Sequence, residues 1–524
     1  MVQGVAAGRG RLRLSQSAPW STVAAGLAGV LHALSMAWPG SGQPQGLAQW
    51  MAMLVMAWLF DRVPTARRAA WLGWVFATVG LCSTVWWLFI SLHRYGNLPV
   101  WLAIVAVVSL CGALSLYWAG AGYLYGRCRE RDLGWGWRAL AFGACVMLAE
   151  LARAQWFTGF PWGVGGYAHV DSVLAWTAPW VGVYGMGALS AVLAMLVVVR
   201  RPFQWWPRWS WQQWTSALAL SLLVALALPW SSPSPEVREQ ALSVRLLQGN
   251  VPQDAKFEGR RAWALTWYGQ ALTGTEQGLV VTPETALPFV QQQLPAGYWE
   301  ALTAHFSQGN RAAMIGLPLH DLGVSTNSVL GLAGPVPPYR YDKHHLVPFG
   351  EFIPPLFQWF TRMMNIPLGE FGRGRVDAPA MAWQGQRLAP MICYEDLFGE
   401  ELAQRFRDPA QAPTIWVNLS NIAWFGDTVA VDQHLQISRL RALEFDRPVI
   451  RATNTGATAI IDAQGRVTHR LPAYQEGVLE GEVRGRQGPP TPYVRWVGEW
   501  GLAPLWVLAV ALLWLPGRIR RRAP

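Results

Sequence analysis

Polar and apolar positions divide this chain into unequal parts. Residues 1–231 and 500–515 hold long apolar runs, whereas 232–499 mix polar and apolar positions as a globular domain does. About 20 consecutive apolar residues carry a helix across a bilayer. On that measure eight transmembrane helices are predicted, at 19–38, 44–60, 69–92, 98–125, 137–153, 175–199, 213–231 and 499–516. The expected organisation is a helical membrane region of seven spans over 1–231 and a polar domain over 232–498. A last span with a basic tail follows over 499–524. Ser231-Ser232-Pro233-Ser234-Pro235 and the proline-rich stretch Gly485–Pro492 read as the linkers into and out of the polar domain.

Within 232–498 the period changes. Short strand-like runs lie at 242–247, 278–282, 312–317, 388–392, 414–417 and 449–452. The run at 312–317 is expected to stop at Pro318, and that at 414–417 at Asn418. Residues 258–276 and 428–446 have helical spacing, the second as an amphipathic helix. Strands alternating with helices predict an α/β domain, whose polar residues gather at strand ends.

Composition agrees. The chain is 52% hydrophobic and only 14% charged, against about 25% charged for soluble domains. Many of its 33 tryptophans flank the apolar runs, as interfacial anchors do. The net charge of +11 does not point to nucleic acid, because the arginines sit in short loops between spans. Arg9, Arg11 and Arg13; Arg62, Arg67 and Arg68; Arg127, Arg129, Arg131 and Arg138; Arg200, Arg201 and Arg208; and Arg518 with Arg520–Arg522 all fall on one side. The alternate loops carry only Arg94 and Arg153. The positive-inside rule then makes both termini cytoplasmic and the polar domain extracytoplasmic. Arg9–Arg13 with Ser35-Met36-Ala37 also has the form of a signal peptide. Cleavage there would leave the later topology unchanged, and retention is expected because further spans follow at once.

Three strand ends carry candidate chemistry. Thr282-Pro283-Glu284-Thr285 supplies a carboxylate, Tyr341-Asp342-Lys343-His344-His345 an ammonium, and Ile392-Cys393-Tyr394 a thiol expected to be exposed. Cys393 is the one cysteine of the polar domain, so either packing or reactivity accounts for it. A thiol becomes a good nucleophile when a base takes its proton or a cation lowers its pKa. Glu284 can be that base, and Lys343 can stabilise a thiolate and then an oxyanion. Plainer readings stand beside these: Glu284 as a first-turn helix acid and Lys343 as a solvated loop lysine. No CxxC pair or His/Cys cluster suggests a metal, and His344 and His345 read as loop residues. Glu150, near the end of a span, reads as a snorkelling structural acid.

These residues resemble a known family. Pro283-Glu284, Asp342-Lys343-His344 with Pro348-Phe349-Gly350-Glu351, and Cys393-Tyr394-Glu395 are similar to the Glu-Lys-Cys set of the nitrilase (carbon–nitrogen hydrolase) superfamily. Gly159-Phe160-Pro161-Trp162, Gly166-Tyr167, Gln248–Gln253 and Thr326-Asn327-Ser328 extend the likeness. Together with the spans, they resemble the apolipoprotein N-acyltransferase family over nearly the whole chain. The resemblance implies an α-β-β-α sandwich outside the inner membrane of a bacterium, with its catalytic domain periplasmic. It implies acyl transfer from a phospholipid, typically phosphatidylethanolamine, through a cysteine thioester to the N-terminal amine of an S-diacylglyceryl-cysteine lipoprotein. It assigns Cys393 as nucleophile, Glu284 as general base and Lys343 as electrostatic stabiliser. Glu351, Tyr394, Glu395 and Trp424 are placed around them, and no cofactor or metal is implied. One departure is visible: Lys256-Phe257 stands where many relatives have Lys-Trp, which keeps the apolar face and loses an indole donor.

Two other functions compete. A membrane-tethered amidase would use the same three residues on small amides, but eight spans are excessive for a tether. A transporter with a degenerate nitrilase-like sensor domain would show broken helices or mid-membrane charges. The apolar run Phe352–Phe360 with Met363-Met364 directly after Glu351 is expected to form a mobile lid at the membrane surface. Gly159–Trp162 reads as an interfacial anchor or as part of a lipid entrance.

Overall fold

The computed structural model describes residues 19–131, 134–200, 241–254, 256, 259–354 and 370–519. The expected span at 213–231, the first linker, the signal-peptide arginines and most of the expected lid lie outside these residues.

The described residues of the N-terminal region form helices joined by turns. Its helices are α1 (Pro19–Met36), α2 (Gly46–Arg62), α3 (Ala66–Thr84), α4 (Val100–Leu114), α5 (Leu116–Arg129), α6 (Trp135–Gln155) and α7 (Ala178–Arg200). Among the described residues, three helical stretches are long and apolar enough to cross a membrane: Val100–Arg129, Trp135–Thr158 and Ala175–Arg200. Two bent pairs raise this to five if each is one span. The span expected at 69–92 is one of these pairs. Helix α3 ends at Thr84, Val85 leaves helical geometry, and Leu88–Tyr95 continues at 63°. The other pair is the C-terminal one, where Pro492–Trp500 and Ala503–Trp514 meet at 93°.

Small residues let these helices approach. A Cβ on Gly29 of α1 would lie 2.3 Å from the Phe76 carbonyl oxygen of α3, and one on Gly122 of α5 would lie 2.4 Å from that of Ala69. Close backbone contact through small residues is how helices associate in lipid, where apolar burial between them gains little. On α4, Ala103, Val107 and Cys111 are buried while Val100, Trp101, Ile104, Val105 and Val108 are exposed, so its outer surface is apolar as well.

The second region contains two six-stranded sheets. Strands β1 (Leu242–Gln248), β2 (Gly278–Val281), β3 (Arg311–Asp321), β4 (Val324–Ala333) and β5 (Tyr339–Asp342) form the first, with β12 (Gly477–Val483) at its edge in the order β12-β1-β2-β3-β4-β5. The second runs β11-β10-β9-β8-β7-β6. Its strands are β6 (Met381–Trp383), β7 (Gln386–Ile392), β8 (Ile415–Ser420), β9 (Val449–Thr453), β10 (Ala459–Ile461) and β11 (Val467–Arg470). The centre of each sheet is parallel, β1-β2-β3 and β7-β8-β9.

Alternation along the strands builds the layers. Leu242, Val244 and Leu246 of β1 meet Ile415, Val417 and Leu419 of β8 between the sheets. Leu247 turns the other way, onto α8 (Arg261–Thr273) and its neighbour α9 (Tyr298–Phe306). Trp416 turns outward from the second sheet into the core shared with α10 (Ala430–Phe445) and the N-terminal helices. The layering is therefore α-β-β-α.

Three expectations need correction. Strand β3 continues through Pro318 to Asp321. Its pairing with β2 ends at Met314, so Pro318 has a ladder partner on one side only, where a missing N–H is tolerated. Strand β8 runs past Asn418 to Ser420. Helix α10 is not amphipathic: Gln433, His434, Gln436, Ser438, Arg439, Arg441 and Glu444 are buried along with its apolar residues. It lies between the second sheet and the N-terminal helices, so its polar side chains meet protein on both sides. Helices α11 (Pro492–Trp500) and α12 (Ala503–Ile519) end the described chain.

Candidate active site

The strand directions bring the candidate residues together. Strand β2 is parallel to β3, and two antiparallel steps through β4 return β5 to the same direction. The loops after β2 and β5 thus leave the first sheet at one end. Glu284 follows β2, Lys343 follows β5, and their side chains meet with Nζ 3.3 Å from Oε1. Lys343 also lies 2.9 Å from Glu351 Oε1. All three are buried, Lys343 to 1% exposure and the two acids to under 10%.

Asn327 on β4 completes the cluster, and sequence reading took it only as part of a motif. Its Nδ2 donates to Glu284 Oε1 and to Glu351 Oε1 at 2.7 Å each, and its carbonyl accepts from the Lys343 N–H at 2.8 Å. The main-chain N–H of Asn421, just after β8, donates to Glu284 Oε2 at 2.9 Å. The carboxylate of Glu284 is therefore held from three elements. Burial alone would lower the pKa of Lys343, but Glu351 and Glu284 outweigh it and hold the ammonium above its ordinary range. The reading of Lys343 as a solvated loop lysine is excluded, and Glu284 caps no helix: residues 284–285 form a turn.

Cys393 follows β7 directly and opens a tight turn over Cys393–Leu397. It is half-buried rather than exposed, with φ of 51°. A non-glycine residue in this left-handed region is uncommon and marks a conformation imposed by its surroundings. Burial and the neighbouring Glu284 raise the thiol pKa beyond the ordinary range, against the pull of Lys343. The resting group is a neutral thiol, so attack on a carbonyl requires proton removal as the bond forms.

The surrounding residues divide by task. Glu395 joins the Lys343 loop to the Cys393 turn. It accepts from Tyr341 Oη at 2.8 Å, from the N–H groups of His344 and His345 at 2.7 and 3.2 Å, and from Ile392 N–H at 2.6 Å. Tyr394 points away, donating to the Gly159 carbonyl of the N-terminal region at 3.1 Å. Trp424 lies 41% exposed, edge-on to Tyr95, and its carbonyl accepts from Ser91 Oγ at 2.9 Å. His344 and His345 bond the Gly374 carbonyl and Glu401.

Asp396 escaped the sequence reading. Fully buried under the turn, it accepts from His434 Nε2 at 3.0 Å, Ser438 Oγ at 2.5 Å, Arg451 Nη1 at 3.3 Å and Asn418 Nδ2 at 3.4 Å. Two motifs of the N-terminal region also turn inward. Glu150 does not snorkel; it is buried and accepts from Gly165 N–H at 2.9 Å. Trp162 is no surface anchor: it is buried, and its indole donates to Gln433 Oε1 on α10 at 2.9 Å.

A neutral thiol beside a buried carboxylate and a buried ammonium is equipped for acyl transfer. In such a set a carboxylate can take a thiol proton and an ammonium can face developing negative charge. Two family descriptions match this chain: apolipoprotein N-acyltransferase N-terminal domain over residues 18–196 and carbon-nitrogen hydrolase over 243–487. An apolipoprotein N-acyltransferase of Verminephrobacter eiseniae is 54% identical over 93% of this chain and 94% of its own. One from Ralstonia nicotianae is 43% identical over 95% and 93%. Among solved structures, a carbon–nitrogen hydrolase superfamily protein of Xanthomonas campestris aligns with 52% of this chain and 97% of its own, at 19% identity and a TM-score of 0.36, too distant to carry an argument. With identity this high over almost its full length, the chain belongs to the apolipoprotein N-acyltransferase family.

Proposed function

We propose that this protein N-acylates lipoproteins, taking an acyl chain from a membrane phospholipid of the phosphatidylethanolamine type and passing it through a thioester on Cys393. In the first half-reaction Cys393 Sγ attacks the ester carbonyl carbon while its proton moves to Glu284. Lys343 stabilises the tetrahedral oxyanion. Collapse breaks the ester C–O bond, and Glu284 returns the proton to the departing alcohol oxygen, releasing lysophospholipid. In the second, the N-terminal amine of an S-diacylglyceryl-cysteine lipoprotein attacks the thioester. Its proton passes through Glu284 to the departing sulfur, leaving an amide and the free thiol.

Glu351 holds Lys343 in place, Glu395 fixes the loop and the turn against each other, and Tyr394 and Trp424 face the N-terminal helices from which lipid arrives. The membrane region comprises eight spans, seven over 1–231 and one over 499–524. The catalytic domain, 232–498, lies on the periplasmic side of the inner membrane with both termini cytoplasmic. Apolar outer surfaces such as that of α4, and the arginine distribution, support this arrangement.

The observation that carries the reading is the convergence of Glu284 and Lys343, buried and 3.3 Å apart, with the Cys393 turn tied to the Lys343 loop by Glu395. Intact mass spectrometry of the purified protein with a defined phospholipid tests it. An added acyl mass, released by hydroxylamine and absent from Cys393→Ala, is expected. Folded, lipid-supplied protein with no adduct would return the choice to small-amide hydrolysis.

A further inference from the structure

The charges around Glu284 do not balance on the residues named so far. Glu284 and Glu351 are both buried and direct Oε1 to the same ammonium, that of Lys343. Nearby, Glu395 is held by a hydroxyl and three main-chain N–H groups, and Asp396 by Arg451 and its neighbours. One lysine thus faces two carboxylates, and a buried charge without compensation is costly. A second lysine reaches the same place. Lys256 is 4% exposed, and its Nζ donates to the main-chain carbonyl of Glu284 at 3.3 Å. It lines one crevice with Glu284, Thr285, Tyr268 and Asn454.

We propose that Lys256 is a positioning residue for Glu284: its buried ammonium supplies the second positive charge of the cluster and anchors the main chain from which the carboxylate projects. The proposal rests on the reading of Glu284 as the base. Charged and titratable groups facing this region are Lys343 and Glu351 from the loop after β5, Cys393 from the turn after β7, and Lys256 itself. Burial lowers the Lys256 pKa to about 8, with Glu284 and Cys393 pulling the other way, so the ammonium form prevails at neutral pH. Its charge favours the ionised form of Glu284, the form that accepts the thiol proton. Without it, the carboxylate loses one of its two nearby cations and fewer molecules are ready to react.

The test is the rate of acyl-enzyme formation by the full chain with phospholipid, followed from pH 5 to 9 by mass spectrometry. Lys256→Met and Lys256→Gln are expected to move the acid limb up by about one pH unit, the size of one close charge interaction, and so to slow acylation about tenfold on that limb. Lys256→Arg, which keeps the charge, is expected to stay within about threefold of the parent. Met and Gln profiles superimposable on the parent would overturn the proposal. So would an Arg variant as slow as Met, which would assign the effect to shape. If only Arg folds, judged by thermal unfolding, Lys256 is a structural charge and the proposal also fails. An acyl adduct persisting on Cys393→Ala would instead overturn the reading of the site itself, independently of the Lys256 variants.

Discussion

Two buried carboxylates lie close to Cys393, and they are held in opposite ways. Asp396 is saturated: His434, Ser438, Arg451 and Asn418 all donate to it, and among the described carboxylates Arg451 pairs with it alone. Glu284 shares both its ammonium and its Asn327 amide with Glu351. A carboxylate with a dedicated counter-ion is locked as an anion. One whose donors are divided can take and release a proton while the partners re-aim toward Glu351. The contrast sets Asp396 as a support of the turn and suits Glu284 to the role proposed for it on the thiol.

The comparison can be broken most severely at Glu284. Glu284→Gln keeps the size and loses the base, and single-turnover acyl-enzyme formation is expected to fall about 10⁴-fold, roughly 5 kcal/mol, with unfolding temperature little changed. Asp396→Asn should do the reverse. It leaves Arg451 buried beside a neutral group and should cost about 3–5 kcal/mol of stability, read as a large drop in unfolding temperature. The pH dependence sharpens this. Burial pushes the Asp396 carboxyl up, but His434 and Arg451 outweigh it and hold its pKa below the ordinary value. A depressed pKa contributes stability above the unfolded carboxyl value of about 4 and loses it as pH falls through the folded value. The stability gap between parent and Asp396→Asn should therefore narrow below pH 4. The smallest effect is expected from Tyr341→Phe, which removes one charge-assisted hydrogen bond to Glu395, about 1.5–3 kcal/mol, seen as a modest loss of stability.

What could be read in the sequence followed from local signals. Apolar runs and their arginine borders marked the helical region, and five of the six strand-like runs start within one residue of a strand's first residue and all six lie within or beside one. Glu284, Lys343 and Cys393 were visible because a lone acid, lysine or thiol at a strand end is chemically conspicuous. Asn327 and Asp396 were not. Asn327 sits mid-strand, and its importance arises only when β4 lies between the loops bearing Glu284 and Glu351. Asp396 directly follows Glu395, and nothing local separates the clamp from the anchor; partners 22 to 55 residues away do. Helix α10 was misjudged for the same reason. Its polar residues resemble a wet face until a second layer of protein is set against them.

That helix has a consequence for how the molecule can change over generations. Gln433 accepts from the indoles of Trp87 and Trp162 and donates to the Thr84 carbonyl, while the next residue, His434, holds Asp396. The N-terminal helices and the sandwich are therefore parts of one inheritance. Exchanging either half with that of a distant relative would mismatch the seam at Gln433, and the mismatch would reach the cysteine turn in two residue steps.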